Sequence, residues 1–281
     1  MREVKFDKMQ GLGNDYVYLI CMETLPEGMP SLAKKISDRH FGVGGDGMVV
    51  ITKSEIADFR MIMFNNDGSE AQMCGNASRC IARLVYEKGL THKKEFTLET
   101  KAGIKRLKLN FEGARIKNMT VNMGAPCFKP EEIPVKESKI EGELTVHEVN
   151  IGGKTLNINC VGMGNPHGVI FERVSDEYFN RYGRELENHS IWPEKSNIEF
   201  VTVKDRRNIE MRVWERGTGE TLACGTGACA SAVAAIKCGL VENDVNVIMK
   251  GGKLNIRLND EGEVLMTGDA EHVATGIYFD R

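Results

Sequence analysis

Two short stretches hold the residues best suited to chemistry. The first reads Phe64-Asn-Asn-Asp-Gly-Ser-Glu-Ala-Gln-Met-Cys74-Gly-Asn-Ala, and the second Trp214-Glu-Arg-Gly-Thr-Gly-Glu-Thr-Leu-Ala-Cys224-Gly-Thr-Gly. Each sets a cysteine in a turn between a strand and a helix. A thiol at a helix start feels the positive end of the helix dipole. Its pKa is therefore expected below the free value of about 8.5, with thiolate available near neutral pH. The residues that follow, Gly75-Asn76 and Gly225-Thr226, carry backbone N–H groups that the helix itself does not use and that suit a carboxylate. Brought together, two such thiols could invert a carbon beside a carboxylate. One thiolate would remove the proton, the other thiol would return one on the opposite face, and the helix starts would stabilise an enediolate-like charge.

The spacing supports reading the two stretches together. Glu70 and Glu220, Cys74 and Cys224, Gly75 and Gly225, Gly89 and Gly239, and Leu90 and Leu240 are all separated by the same interval (224 − 74 = 150). A constant offset over these identities marks an internal duplication. Halves that face each other would bring two thiols and two anion-binding helix starts into one cleft. For either cysteine alone the plainer reading is a buried, inert thiol. The retention of both Cys-Gly pairs argues against it. Cys80 and Cys229, inside apolar helix stripes, keep the inert reading.

Other chemistries fit less well. Cys74 and Cys80, and Cys224 and Cys229, lack the short spacing of zinc-binding cysteine pairs, and no paired histidines follow, so no metal is expected. Gly42-Val-Gly-Gly-Asp-Gly47 has the form of a dinucleotide fingerprint. However, it follows a helix and precedes a strand, the reverse of the order that mechanism needs, and reads as a tight turn. His167 lies in a Gly-rich turn that the duplication pairs with the Asn14 turn. It is either a structural histidine or a neighbour of a thiol. Glu215-Arg216 ends an otherwise apolar strand, and is either a rim salt bridge or a fork for a substrate carboxylate and ammonium.

Composition bounds the function. With 281 residues the chain exceeds the size at which single cores split, so two domains are expected. A formal charge of −3 argues against a nucleic-acid groove or an anionic membrane surface. There is no apolar signal core at the N-terminus and no long apolar run, and the chain is read as cytoplasmic, its eight cysteines unbridged.

The elements that must position these residues alternate. Strands are expected at Val4–Phe6, Tyr16–Cys21, Met48–Thr52 and Phe59–Phe64, with a helix over Ser31–Phe41 and another from Gly75 to about Lys88. Strands follow at Glu95–Thr100, Leu107–Phe111 and Met119–Met123. Gly124 to Pro130 and the charged segment through Glu143 read as the linker. The second half repeats the pattern. Leu156–Cys160 is a strand and Gly162–His167 a turn. Asp176–Asn188 is a surface helix, Ile198–Val203 and Ile209–Val213 are strands, and Gly225–Cys238 is a helix. Leu254–Leu258 and Gly276–Phe279 are closing strands. The Gly225 helix is apolar nearly all round, so sheet is expected to wrap it.

These residues carry a resemblance. Gly11-Leu-Gly-Asn14-Asp-Tyr, Asp67 to Asn76, Gly164-Asn-Pro-His167, Ser196-Asn-Ile-Glu-Phe200 and Trp214 to Gly227 together resemble the diaminopimelate epimerase family, in order and over nearly the whole chain. The resemblance implies an α+β fold of two pseudo-symmetric domains, each a curled mixed sheet around a central helix. The first would span residues 1–124 with 270–281, the second 125–269. It implies a cofactor-independent isomerase, often a homodimer, converting LL- to meso-2,6-diaminopimelate for lysine and peptidoglycan synthesis. Cys224 would be the base and Cys74 the acid in that direction. Gly75, Asn76, Gly225 and Thr226 would hold the reacting carboxylate, and Asn14 the reacting end. Asn65, Asn165, Asn197, Glu215 and Arg216 would hold the remainder of the substrate. Asp67, His167 and Glu215 are candidates for tuning the thiols. The sequence departs from other members at Ala77, where many have Gly, at Gly47, where some have Gln, and at Gly168, where bulkier residues occur. Alternatives are a racemase of another amino acid, such as histidine, using the same thiols, or a non-catalytic amino-acid binder.

Overall fold

The structure is a computed structural model describing residues 2–136 and 138–281. It divides into two compact units, Met1–Asn122 with Thr267–Arg281, and Met123–Met266.

The first unit contains β1 (Arg2–Gly11), β2 (Asn14–Ile20), α1 (Met29–Ser37), β3 (Gly47–Thr52), β4 (Phe59–Asn65), the short β5 (Glu70–Ala71), α2 (Gly75–Glu87), β6 (Glu95–Thr100), β7 (Gly103–Glu112) and β8 (Arg115–Gly124). The C-terminal strand Glu271–Asp280 pairs antiparallel with β1, which pairs with β2. The sheet continues through the parallel pair β2–β3, antiparallel β3–β4, parallel β4–β6 and antiparallel β6–β7–β8. α2 packs against β1, β2 and β7 and the C-terminal strand, so the sheet curls round it. α1 lies on the outer face, where Leu32, Ala33 and Ile36 join Val17, Leu19, Met48, Val50 and Phe64 in one core.

The second unit contains β9 (Lys139–Glu141), β10 (Leu144–Ile151), β11 (Lys154–Gly162), β12 (Pro166–Ile170), α3 (Asp176–Glu187), β13 (Asn197–Asp205), β14 (Asn208–Glu215), the short β15 (Gly219–Glu220), α4 (Gly225–Lys237), β16 (Asp244–Met249), β17 (Gly252–Leu258) and β18 (Val264–Gly268). Its pairings repeat those of the first unit. β12 and β13 are parallel where β2 and β3 are, and β14 and β16 are parallel where β4 and β6 are. The 150-residue offset holds in register: Phe64 faces Glu70, and Trp214 faces Glu220. α4 touches β11, β12, β13, β14, β16 and β17, and every residue from Gly227 to Ala235 is buried. Sheet therefore surrounds the helix, as its composition requires.

The repeated Gly-Leu pair has a local cause. Gly89 and Gly239 take left-handed φ values of 70° and 68°. Gly89 N–H donates to Tyr86 O and Leu90 N–H to Val85 O. Gly239 and Leu240 do the same to Ile236 and Ala235. This is the Schellman stop of a helix, which a residue with a Cβ adopts only at a cost.

Several expectations need correction. The segment after Gly124 is no free linker. Cys127 exchanges two backbone hydrogen bonds with Gly162, and Ile133 and Val135 are buried in the second unit's core. Apolar residues spaced two apart among charges gave no periodic signal for this. Glu137, inside that stretch, and Met1 lie outside the described residues. α1 ends at Ser37, four residues before Phe41, because Asp38 is extended and its carboxylate accepts the N–H groups of His40 and Phe41. The strands β5, β9, β10, β12, β15, β16 and β18 were not anticipated. α3 is more than a surface helix: Phe179 and Leu186 are fully buried in the core. Its Ser175 N-cap accepts from Tyr178 N.

Enclosure of α4 leaves no room for a larger side chain. Replacing Ala232, fully buried on that helix, with Leu should destabilise the chain by about 1–3 kcal/mol through overpacking. Urea denaturation measures this. An unchanged midpoint would mean that this face of α4 is not enclosed.

Candidate active site

Both cysteines are the N-cap residues of their helices. Cys74 (φ −136°, ψ 124°) and Cys224 (φ −120°, ψ 113°) have extended backbones, and each sulfur accepts the N–H of the third helical residue. Ala77 N lies 3.5 Å from Cys74 Sγ, and Gly227 N 3.4 Å from Cys224 Sγ. Ser78 N and Ala228 N close the first helical turn onto the Cys74 and Cys224 carbonyls. The short strands β5 and β15 hold the turns that lead into these caps. The N–H groups of Gly75-Asn76 and Gly225-Thr226 then occupy the first two helical positions, those that can face a bound anion.

In the first unit the half-site is built on the β1–β2 hairpin. Asn14 Oδ1 lies 3.4 Å from Cys74 Sγ and 3.5 Å from Asn76 Nδ2. Asn14 is itself held, because its Nδ2 donates to Asp46 Oδ2 at 2.6 Å and the same oxygen accepts Asp15 N. Arg39 pairs with both Asp15 and Asp46. The Gly42–Gly47 turn is thus an anchor for Asn14, which the sequence reading of that turn missed. Asn65 donates to Ser69 Oγ at 3.0 Å. Asp67 is exposed and its carboxylate accepts from Ser69 Oγ and Ser69 N, which hold its pKa below the ordinary value. These bonds shape the turn before Cys74. Cys80 is pushed up to about 11 by burial, in keeping with an inert thiol.

In the second unit the half-site is acidic. His167 does not lie in a turn. It is fully buried in β12, with Nδ1 2.7 Å from Glu199 Oε1 and Nε2 2.9 Å from Asn165 Oδ1. Asn197, opposite His167 in the parallel pair, donates Nδ2 to Pro166 O and accepts Arg216 N at 3.0 Å. Its amide is spent on fixing the Glu215–Gly217 turn. Glu187 on α3 clamps the same turn, accepting Trp214 Nε1 at 2.9 Å and Gly217 N at 2.8 Å. Glu215 accepts from Thr221 Oγ1, and burial raises its pKa. Arg216 is exposed and donates to Glu194 O at 3.2 Å.

The thiol chemistry here differs from expectation. Cys224 is 6% exposed. Burial, then the Glu215 and Glu199 carboxylates, push its thiol well above the ordinary value, and the Thr226 hydroxyl and Gly227 N–H pull it back only in part. The favourable helix start is outweighed by desolvation and two nearby anions.

The family profile described as Diaminopimelate epimerase matches residues 6–129 and 159–273. The chain belongs to the diaminopimelate epimerase family. It is 48% identical to the diaminopimelate epimerase of Acetivibrio thermocellus, over 97% of this chain and 98% of that one. It is 46% identical to that of Desulfovibrio desulfuricans over 98% of each chain. It is also 45% identical to that of Methanococcus maripaludis, over 97% of this chain and 99% of the other. Among solved structures it is similar to a phenazine biosynthesis protein of the PhzF family from Bacillus anthracis, with a TM-score of 0.68, 18% identity and full coverage of both chains. A hydroxyproline epimerase from Agrobacterium vitis also gives 0.68, at 13% identity, covering 100% of this chain and 92% of that one. These two likenesses concern the fold, which is the α+β diaminopimelate epimerase-like fold.

Two glycines near the site have no room for a side chain. A Cβ on Gly47 would meet Phe64 O at 2.1 Å. A Cβ on Gly168 would meet Ile158 and Trp192 side-chain atoms at 2.9 Å, because the indole fills that volume. Glu199, Glu187 and Asp46 were missed by sequence reasoning. For Glu199 a signal existed: a charge amid Asn197-Ile-Glu-Phe-Val201, an otherwise apolar buried strand.

The Glu187 clamp predicts a measurable loss. Glu187→Ala should leave the Trp214 indole N–H and the Gly217 N–H unpaired and destabilise the chain by about 2–4 kcal/mol. Urea unfolding followed by tryptophan emission reads both stability and the freed Trp214 indole. A change below about 0.5 kcal/mol with unaltered emission would contradict the clamp.

Proposed function

We propose that this chain converts LL-2,6-diaminopimelate to the meso isomer by two-thiol proton transfer at one α-carbon. The observation that carries this reading is the recurrence of Cys-Gly as a helix N-cap in both halves of a chain whose near-full-length relatives are diaminopimelate epimerases. The reaction is an isomerisation that needs no pyridoxal phosphate. Its product serves lysine and peptidoglycan synthesis. The enzyme works as a homodimer in the cytoplasm.

In the LL-to-meso direction Cys224 takes the α-proton and Cys74 supplies one to the opposite face. The N–H groups of Gly75, Asn76, Gly225 and Thr226 hold the reacting carboxylate and stabilise its enediolate-like form. Asn14, fixed by Asp46, contacts the reacting end and the Cys74 sulfur. Glu215 takes a substrate ammonium and Arg216 forks onto the distal carboxylate. Asn65 and Asn165 supply further amide contacts, and Asn197 acts by holding Arg216. His167 and Glu215 set the charge around Cys224. A substrate ammonium beside Glu215 offsets part of the negative charge that keeps that thiol protonated, so substrate entry favours the thiolate.

The test is a deuterated-water assay on an amino-acid panel. Early meso product should carry deuterium at the inverted carbon, while unreacted LL-diaminopimelate carries almost none, since Cys74 delivers a deuteron taken from solvent and Cys224 keeps the abstracted proton for a time. Lysine, histidine and proline should react at most at trace rates, roughly 10⁴-fold slower, because the groups for the distal end stay unpaired. Cys74→Ala and Cys224→Ala should each lower kcat about 10²–10⁴-fold. Histidine turnover equal to diaminopimelate would overturn the substrate. Equal early labelling of both pools would overturn the two-base mechanism.

A further inference from the structure

Glu199 is a carboxylate with no solvent exposure in the middle of β13. Oε1 bonds His167 Nδ1, and Oε2 is buried with no hydrogen-bond partner. A Cβ on Gly227 would lie 2.7 Å from Glu199 Oε1 and 3.3 Å from Cys224 Sγ, so carboxylate and thiol share the first turn of α4. Burying a charge with one oxygen unsatisfied is costly.

The fold does not demand this charge. The duplication offset carries Glu199 onto Val49, and the pairing agrees. Glu199 lies opposite Val169 on β12 and Val213 on β14, as Val49 lies opposite Tyr18 on β2 and Met63 on β4. On the preceding strand the interval is one residue longer (167 − 16 = 151), and the His167–Asn197 pair corresponds to Tyr16–Gly47. The first unit therefore builds the same strand pairings with a buried valine where the second has the Glu199 carboxylate. What differs is the charge beneath the cysteine.

We propose that Glu199 is a positioning residue of the Cys224 half-site: it orients His167 toward Asn165, and its charge keeps the proton on Cys224 until a substrate ammonium enters. The last clause rests on the function proposed above. Among the described residues, the charged groups facing Cys224 are Glu199 on β13 and Glu215 at the end of β14, with titratable His167 on β12. α4 itself carries no charge before Lys237 in its last turn. The inward residues of β16 and β17 are Val245, Val247, Leu254 and Ile256.

The test measures alkylation of Cys224 by iodoacetamide against pH in the full-length protein, with Cys21 as an internal control read by peptide mass spectrometry. Glu199→Gln keeps an acceptor for His167 but removes the charge. Its Cys224 midpoint should move to lower pH by about one unit, and the rate at neutral pH should rise about tenfold, with Cys21 unchanged. Glu199→Val copies the first unit. It should remain folded by circular dichroism, show the same acid shift, and lower kcat/KM more than Glu199→Gln does, because His167 loses its acceptor. A Cys224 midpoint unchanged in folded variants overturns the proposal. Failure of both variants to fold also overturns it, by making Glu199 a residue the core requires. The alkylation midpoints are independent of substrate, so an enzyme inactive on diaminopimelate would sink the functional reading and leave this result standing.

Discussion

A helix enclosed by sheet can meet a ligand only at its ends. α4 shows the constraint at its strongest, since its flanks are alanine, valine and cysteine packed against six strands. Its C-terminal end is closed by the Gly239 stop, which spends the last carbonyls on local hydrogen bonds. The N-terminus alone remains, with its N–H groups and positive dipole. α2 is built the same way between Cys74 and Gly89. Everything around the cysteines serves this end of the helix. The β1–β2 hairpin brings Asn14 to Cys74, β12 and β13 bring His167 and Glu199 to Cys224, and the Glu215–Gly217 turn is clamped by Asn197 and Glu187.

The two half-sites share a backbone and differ in charge. Asn14 and Asn76 give Cys74 neutral amide neighbours. Cys224 is buried beside two carboxylates, and burial first, then their charge, outweighs the helix start. The backbone geometry is therefore common to both caps, whereas the side chains around them differ.

What the sequence made legible follows from periodicity and repetition. The wrapped helix was readable from Gly225 to Cys238 because no face of it is polar. The helix starts and stops were readable because the duplication preserved Cys-Gly and Gly-Leu. The family was readable from the motifs around the two cysteines. What escaped notice had no local signature. Ile133 and Val135 are isolated apolar residues in a charged stretch, and only the structure shows them entering the second core. The Asp38 turn that ends α1 early competes with a helical pattern that runs on to Phe41. The expected depression of the Cys224 pKa failed because it counted the dipole of its own helix and not the burial of the thiol, nor the carboxylates that β13 and β14 bring from elsewhere in the chain. A one-dimensional reading sees neighbours in sequence, but the field at an atom is set by neighbours in space.

The contrast of Val49 with Glu199 also bears on why both copies lie in one polypeptide. Two identical chains assembled symmetrically must present the same residue at equivalent positions, so any charge placed beside one thiol is placed beside the other. Joining the copies removes that obligation. Each half can then mutate alone, and a pair of equal sulfurs can become a donor and an acceptor while the backbone that carries them stays the same.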